Sequence, residues 1–339
     1  MRLKAQMAAT DQAGSLAAEA PRGPRPRSAW RTRLTKLDAK ASPYLYISPF
    51  FLLFAGFGLF PLAYTAWISL HSVNLQNVEE RTWVGFDNYT RLFHDDQFWN
   101  AVQNTITIGL ISTVPQLLIA LGLAHLLHCK LRGSTFFRVS LLMPYATSVA
   151  AATIVFAMLF GRDFGLINWF LGVFGVENID WENGKWSSQI AISTIVTWRW
   201  TGYNALIYLA AMQAIPKDLY EAAEVDGASR WQQLRHVTIP GIKPTIIFTV
   251  IISTIGATQL FGEPLLFGGA GGYRGGADHQ YQTLGLLLYE QGWFNFQLGR
   301  AAATAWTMFL IIMVAVAVNA LLASKGRSAL TIGRRRRPA

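Results

Sequence analysis

Six stretches of this sequence are apolar over about the length that a helix needs to cross a lipid bilayer. A hydrocarbon core about 30 Å thick takes about 20 apolar residues in a helix. The six candidate spans are residues 43–70, 100–129, 139–161, 188–213, 244–261 and 301–324. Only the fourth contains a charged side chain, Arg199. Because the runs lack the alternation of a barrel strand, we predict an all-α membrane protein with six transmembrane helices.

Two tails flank this predicted membrane domain, which covers residues 43–324. Residues 1–42 are rich in Ala, Pro and Arg and lack the apolar core of a cleavable signal peptide, so we expect a disordered cytoplasmic tail. Residues 325–339 form a second basic tail. The single cysteine, Cys129, excludes an internal disulfide and a Cys-based metal cluster, and we interpret it as an ordinary packed thiol.

The distribution of lysine and arginine predicts the orientation of the chain. If both termini are cytoplasmic, the two tails and the second and fourth loops hold 22 of the 29 basic residues. This bias follows the positive-inside rule. The net charge of +10 could suggest nucleic acid, but the basic residues flank apolar spans. We therefore expect contact with anionic lipid and no nucleic-acid partner.

The loop between the fourth and fifth spans, residues 214–241, has the pattern of two short helices. Residues 217–226 mix helix formers with spaced apolar positions, and Gly227 is placed to end this amphipathic helix. A second helical stretch follows, with apolar residues at a spacing of three, and we expect Pro240 to stop it. The sequence thus predicts a rigid cytoplasmic protrusion suited to a groove in another protein.

This segment resembles the cytoplasmic signature of bacterial ABC importer permeases, in which Glu-Ala-Ala is followed at fixed spacing by Gly and by a terminal Pro. Val237 and Ile239 replace the usual Ile and Leu, and both keep an apolar branched side chain. The resemblance implies a coupling-helix loop that docks in the ATPase subunit. The residues that would carry this coupling are Glu221, Ala222, Ala223, Asp226, Gly227 and Pro240.

Further similarities point to the carbohydrate, maltose-type branch of that family. Residues 198–213 look like the helix that precedes the signature in sugar permeases, and residues 84–89, 143–144 and 261–269 resemble three other family segments. The resemblance covers about residues 45–325. It implies a bacterial cytoplasmic-membrane subunit that imports a sugar, namely a disaccharide or short oligosaccharide. Overall resemblance points to a glucose-type disaccharide such as cellobiose.

The resemblance also implies partners and excludes catalysis by this chain. Because a single six-helix chain of this family forms only half of a pore, the resemblance implies a second homologous permease subunit. It also implies an ATPase dimer on the cytoplasmic side and an extracytoplasmic sugar-binding protein. The sequence has no phosphate-binding Lys motif and no zinc or nucleophile motif, so we expect no catalytic residue, metal or cofactor here. ATP and Mg²⁺ would bind to the partner ATPase.

Polar and aromatic side chains inside spans are candidates for the solute pathway, because polar groups in lipid are costly. Arg199 needs a partner or water, and we predict that it meets Glu263 if the fifth helix continues past Phe261. Sugars are bound by aromatic rings and by amide or hydroxyl groups. The candidate pathway residues are Tyr145, Arg199, Trp200, Tyr203, Asn204, Gln259 and Glu263.

Other interpretations stay open for several features. Each pathway candidate could instead serve helix packing, and the pair of Arg199 and Glu263 could be purely structural. The glycine-rich residues 268–276 are interpreted as a flexible contact for the binding protein. Two rival functions are an ABC permease for another solute, such as a polyamine or a phosphorylated polyol, and a self-sufficient secondary transporter. The latter predicts inverted repeats or intramembrane acids, which the sequence does not display.

Overall fold

The computed structural model describes residues 29–128 and 133–334, with side chains described for 42–128, 133–269 and 272–321. Most of the predicted N-terminal tail, Cys129 and residues 335–339 lie outside this part. The chain divides into two units, residues 1–63 and 64–339.

The first unit is helical wherever it is described. Helix α1 covers Ala29–Phe54, a π-helical turn covers Ala55–Leu59, and helix α2 covers Phe60–Ser69, which begins in this unit and ends in the second. Helix α1 begins inside the segment predicted as a disordered tail, where Ala, Leu, Lys and Arg favour a helix. In the apolar stretch Ser42–Ser69, the most apolar window has no buried residue, as expected for a helix that faces lipid.

The second unit starts with a small outer motif. Strands β1 (His71–Asn74) and β2 (Asn77–Trp83) form an antiparallel hairpin in which His71 lies opposite Trp83. The short helix α3, Asp87–Phe93, follows. Asn88 Nδ2 donates to the carbonyl oxygens of Ser69 (2.8 Å) and His71 (3.0 Å), which fixes α3 against the hairpin.

The next helices contain the second, third and fourth predicted spans. Helix α4 covers Asp96–His128 and continues through Pro115; α5 covers Ser134–Ala146, α6 Val149–Leu159, α7 Leu166–Val173 and α8 Lys185–Gln213. The prediction of one helix over 139–161 is wrong, because α5 and α6 are bent by 91°. The break lies at Thr147 and Ser148, whose ψ angles of 141° and 135° are extended, three residues after Pro144.

The predicted cytoplasmic loop contains two short helical segments. Helix α9 covers Lys217–Val225, α10 covers Arg230–Gln233, a π-helical turn covers Leu234–Thr238, and α11 covers Ile239–Gly241. The second segment ends at Gly241, one residue after Pro240, where the sequence places its end.

The C-terminal part is more broken than the sequence suggests. Helix α12 covers Lys243–Thr258, α13 Gly262–Phe267, a 3₁₀ turn Gly269–Arg274, α14 Leu284–Tyr289, a π-helical turn Glu290–Phe294 and α15 Leu298–Arg334. The fifth helix therefore ends at Thr258, and the continuation past Phe261, which was the condition set for contact between Arg199 and Glu263, does not occur. Helix α15 extends into the predicted C-terminal tail.

By length and composition, three described helices could cross a membrane, or up to five if each bent pair counts as one span. The three are Ser42–Ser69, Asp96–His128 and Leu298–Leu321. Helix α8 is not among them, although it lies at the centre of the second unit with 15 of its 29 residues buried. A helix enclosed by other helices can carry polar side chains that would be costly against lipid.

Candidate functional site

Helix α8 lies close against its neighbours because small residues line its contacts. A Cβ atom built on Gly202 would collide with the backbone carbonyl of Leu141 in α5. Ala205 is fully buried between α4 and α12 residues in an apolar cluster. Small residues allow this close approach of helix backbones in membrane proteins. The packing fixes the face of α8 that carries Arg199, Trp200, Tyr203 and Asn204.

A cavity of about 590 Å³ opens beside this face of α8. All seven predicted pathway residues line it, although they come from four separate helices or turns: Tyr145, Arg199, Trp200, Tyr203, Asn204, Gln259 and Glu263. Its volume falls in the range of about 300–1,000 Å³ typical of small-molecule pockets. The structure thus brings together residues as far apart in the chain as Tyr145 and Glu263.

Three aromatic rings form one wall of the cavity. Tyr145 stacks on Tyr203 with ring centroids 4.6 Å apart and an interplanar angle of 19°. Trp200 meets both rings edge-on, at 5.2 Å from Tyr145 and 5.9 Å from Tyr203. These distances are those of favourable aromatic pairs. Tyr145 is held at this place by the end of α5, just before the chain bends into α6.

Arg199 and Glu263 form a buried ion pair at the cavity. Arg199 Nη1 donates to Glu263 Oε1 at 2.7 Å, and both side chains are buried. The predicted pairing is confirmed, although a different element delivers the carboxylate. After α12 ends, Gly262 begins the separate short helix α13, which carries Glu263 in its first turn. The buried Nε of Arg199 has no hydrogen-bond partner among the described residues.

The sequence analysis missed several polar residues that line the same cavity. Ser112 and Gln116 lie one helical turn apart on α4, and Ser253 lies on α12. Ser112 and Gln116 are buried. The signal that could have found them is the spacing of four residues, which places two polar groups on the same face of an apolar helix.

Gly227 and Tyr220 fix the conformation of the loop over residues 214–241. Gly227 has a φ of +74°, which ends α9 as predicted and turns the chain toward α10. Ser229 and Gln232 then form a capping box at the start of α10. Tyr220 Oη lies 3.0 Å from Thr238 Oγ1, so a hydrogen bond joins the two short helical segments.

The outer surface of this loop carries the residues predicted to couple to an ATPase. Glu221, Ala222, Asp226, Gly227 and Pro240 are exposed, and Ala223 is half-buried. The apolar side chains of Leu219, Val225 and Trp231 are also exposed. The two short helical segments therefore present exposed apolar side chains beside exposed carboxylates.

A second polar cluster surrounds Glu290, which the sequence analysis did not single out. Glu290 Oε2 accepts from Gln97 Nε2 at 2.9 Å and from Gln282 Nε2 at 2.6 Å. The glycine-rich segment predicted as flexible precedes this cluster. It contains the 3₁₀ turn Gly269–Arg274, and Tyr273 stacks on Phe294 at 3.8 Å. The cluster joins α4 to the segment between α13 and α15.

Among the described residues, no group of three or more His, Cys, Asp or Glu side chains could hold a metal ion. The cavity and the loop contain paired charges, amides, hydroxyls and rings. Groups of these kinds are suited to hydrogen bonding and packing against a polar solute.

Comparison with known proteins decides the family. Residues 110–328 match the family of binding-protein-dependent transport system inner membrane components. The chain belongs to this family. The ABC importer permease predicted from the loop signature is thereby confirmed, and the permease is a multi-pass membrane protein that serves as a translocation subunit.

Two curated relatives and one solved structure illustrate the similarity. The permease is 35% identical over 277 residues to the arabinooligosaccharides transport system permease protein of Halalkalibacterium halodurans, covering 81% of this chain and 85% of the relative. It is 35% identical over 276 residues to the lactose transport system permease protein of Rhizobium radiobacter, covering 80% and 90%.

The solved structure is a bacterial alginate ABC transporter in complex with an alginate pentasaccharide-bound periplasmic protein. One of its chains superposes with a TM-score of 0.70 at 21% identity, covering 86% of the permease and 96% of that chain. At this identity the likeness shows the fold alone.

Proposed function

We propose that this permease imports a sugar, specifically a disaccharide or short oligosaccharide, through the cavity beside α8. An extracytoplasmic binding protein delivers the solute, and a separate ATPase dimer supplies the energy from ATP and Mg²⁺. A second homologous permease subunit completes the passage. The two curated relatives are named for oligosaccharide and lactose transport, which supports this solute class.

The cavity is the observation that carries the proposal. It pairs a wall of three aromatic rings, from Tyr145, Trp200 and Tyr203, with amide and hydroxyl groups. Sugars expose apolar C–H faces and polar hydroxyl groups, so a mixed aromatic and amide lining suits them. Asn204, Gln259 and Gln116 offer amides that both donate and accept hydrogen bonds.

The topology in this proposal has six spans and two cytoplasmic termini. Helix α8 is the fourth span, and the pairs α5–α6 and α11–α12 contribute to the third and fifth. A span that is enclosed by other helices, as α8 is, need not be strongly apolar. The bias of basic residues toward the tails and the 214–241 loop supports this orientation.

The exposed protrusion on the 214–241 loop is the proposed coupling element. Glu221 faces the ATPase, while the apolar Leu219 and Val225 enter its groove. When ATP closes the ATPase dimer, the protrusion moves as a lever and the cavity opens outward. Hydrolysis resets the permease, so access to the cavity alternates between the two sides.

The decisive experiment measures uptake of labelled disaccharides by cells that express the full transporter with Trp200→Ala. An aromatic contact is worth about 0.5–1.5 kcal/mol, which corresponds to a decrease in uptake at low sugar of about two- to tenfold. The matched control is Trp198→Ala on the same helix, since Trp198 packs against Phe156 and does not line the cavity.

Equal loss of uptake in both variants, at equal membrane abundance, would contradict a sugar site at this cavity. If the cells took up a polyamine or a phosphorylated polyol but none of the sugars tested, the proposed solute class would be wrong. The assignment as a permease would stand. Uptake that persists without ATP would favour a secondary transporter.

A further inference from the structure

Helix α7, Leu166–Val173, presents an apolar face that no described part of the chain covers. Trp169, Phe170 and Val173 are 68%, 56% and 67% exposed. The preceding Phe164 and the following Phe174 are exposed as well. At eight residues, α7 is only about 12 Å long and cannot cross a hydrocarbon core about 30 Å thick.

The opposite face of α7 is fixed to the rest of the permease. Ile167 and Leu171 pack against the apolar cluster that contains Phe160, Ile192 and Ile195. Asn168 Nδ2 donates to the carbonyls of Arg162 (2.9 Å) and Ile179 (2.8 Å), and Asn168 Oδ1 accepts from Trp181 Nε1 at 2.8 Å. Because these bonds anchor α7, its exposed rings are held in place.

The surroundings of α7 indicate a membrane boundary. Residues 164–176 carry no charge, whereas Arg162 and Asp163 precede them and Glu177 follows. Helix α6, which precedes α7, leaves the apolar Ile154, Val155 and Met158 exposed, as expected for a surface in contact with lipid. Helix α8 begins with Lys185 and the exposed Trp186, a pairing typical of the level where a span leaves the bilayer.

We propose that α7 is an interfacial helix that lies in the outer surface of the bilayer, with Trp169, Phe170 and Val173 inserted among the lipids. The exposed face of α7 is apolar like that of α6, and tryptophan and phenylalanine are the residues that such helices insert. Every exposed side chain of α7 is apolar, as insertion into the membrane surface requires, and the polar Asp163 and Asn178 border the cavity that Trp169 and Val173 also line.

The position of α7 affects the wall of the proposed sugar cavity. The apolar cluster beneath α7 is packed against Trp200 and includes Val196 and Leu260, which line the cavity. A helix held in the membrane surface therefore supports the cavity wall from outside. The inference rests on the membrane topology in the proposed function, but not on the identity of the solute.

The test measures the depth of α7 directly. The sole cysteine is removed by Cys129→Ser, and single cysteines are introduced by Trp169→Cys, Val173→Cys and, as the control, Glu177→Cys. Each protein carries an environment-sensitive fluorophore. The full-length permease is reconstituted with its co-purifying subunits in vesicles of phosphatidylcholine and phosphatidylglycerol. Quenching is measured with aqueous iodide and with lipids spin-labelled near the top or near the end of the acyl chain.

An apolar face inserted about 5–10 Å deep predicts at least about twofold quenching at positions 169 and 173 by the shallow spin label, and protection from iodide. Position 177 should show the reverse. Iodide quenching at 169 and 173 without lipid quenching would overturn the inference. Protection from both quenchers would also overturn it, because a partner subunit or the binding protein would then cover α7. Neither result depends on sugar uptake, so failure here is distinct from failure of the proposed function.

Discussion

Arg199 Nη1 and Glu263 Oε1 lie 2.7 Å apart inside the permease, although 64 positions separate the two residues. The contact joins the central helix α8 to the short helix α13. An unpaired charge at the centre of a span costs about 2.5–3.5 kcal/mol on insertion scales. Pairing of the two side chains offsets that cost. Because both residues line the cavity, their opposite charges also leave the pair with no net charge at the cavity wall.

Removal of one member of this pair is expected to destabilise the permease strongly. Arg199→Leu leaves a buried carboxylate unpaired, at a cost of about 3–5 kcal/mol, and membrane abundance should fall. The double variant Arg199→Leu, Glu263→Leu should recover abundance, because two apolar side chains replace two paired charges. The control is Arg91→Leu, whose exposed pair with Asp87 has the same 2.7 Å distance and is worth less than about 1 kcal/mol.

We expect sugar uptake by the double variant to recover together with abundance, since the two charges satisfy each other in the structure. Abundance is measured by immunoblot and uptake with labelled sugar. Recovered abundance without recovered uptake would assign the pair to the solute pathway.

The membrane helices and the cavity residues were largely predictable from the sequence. Apolar length predicts α4 and α15, and an isolated charge such as Arg199 in an apolar run predicts a buried partner. The pattern around Gly227 predicts a turn, because a left-handed residue is needed there. These signals are local in the chain and depend little on the tertiary context.

The breaks in the helices were not predictable in the same way. The third predicted span is bent by 91° between α5 and α6, and the fifth helix ends before Glu263. Residues 139–161 and 244–267 carry no charged side chain apart from Glu263, and their polar residues are scattered along both stretches, so composition does not show where the chain turns. Contacts distant in the sequence decide it, such as the bond from Thr283 Oγ1 to the carbonyl of Leu260 at 2.7 Å.

Gly202 should tolerate no side chain. Gly202→Ala places a Cβ against the backbone carbonyl of Leu141, so α8 and α5 must separate, at a cost of about 1–3 kcal/mol. Gly122→Ala is the matched control, because a Cβ there meets nothing within 4 Å. It should be neutral or slightly stabilising, as alanine favours helices over glycine. Thermal unfolding in detergent checks both; equal midpoints for the two variants would contradict the close contact.

Asp180 should make the loop before α8 sensitive to acid. Hydrogen bonds from the side chain and backbone N–H of Asn183 hold the pKa of Asp180 below its usual value, with a smaller contribution from Arg162. This stabilisation is present above the unfolded pKa of about 3.9 and is lost as pH falls through the lower folded pKa.

Asn183→Ala should raise that pKa toward its usual value and loosen the loop at neutral pH. Hydrogen exchange of residues 177–184 should then be faster at pH 7, and the further increase on acidification should be smaller than in the unaltered protein. Asn178→Ala, an exposed change in the same loop, is the control. Identical pH profiles for Asn183→Ala and the unaltered protein would contradict the role of Asn183.

Substitutions at Gly227 test whether the 214–241 loop couples ATP hydrolysis to sugar uptake. Gly227 has a φ of +74° at the turn between α9 and α10. Gly227→Ala therefore adds about 1–2 kcal/mol of backbone strain there. As a result, Glu221 should be displaced relative to the second helical segment. Uptake should fall while membrane abundance is retained, because the loop is exposed. Gly227→Asn should preserve more uptake, since asparagine tolerates the left-handed conformation better than alanine.

The same experiment includes Glu221→Lys and a matched charge reversal, Glu79→Lys, on the exposed strand β2. If the protrusion docks on the ATPase, Glu221→Lys should abolish sugar-stimulated ATP hydrolysis by the assembled transporter, and Glu79→Lys should not. Gly227→Ala would lower the stimulation without changing basal hydrolysis. Full stimulation in Glu221→Lys would mean that the energy reaches the cavity by another route, and the ion pair between α8 and α13 would then be the next contact to test.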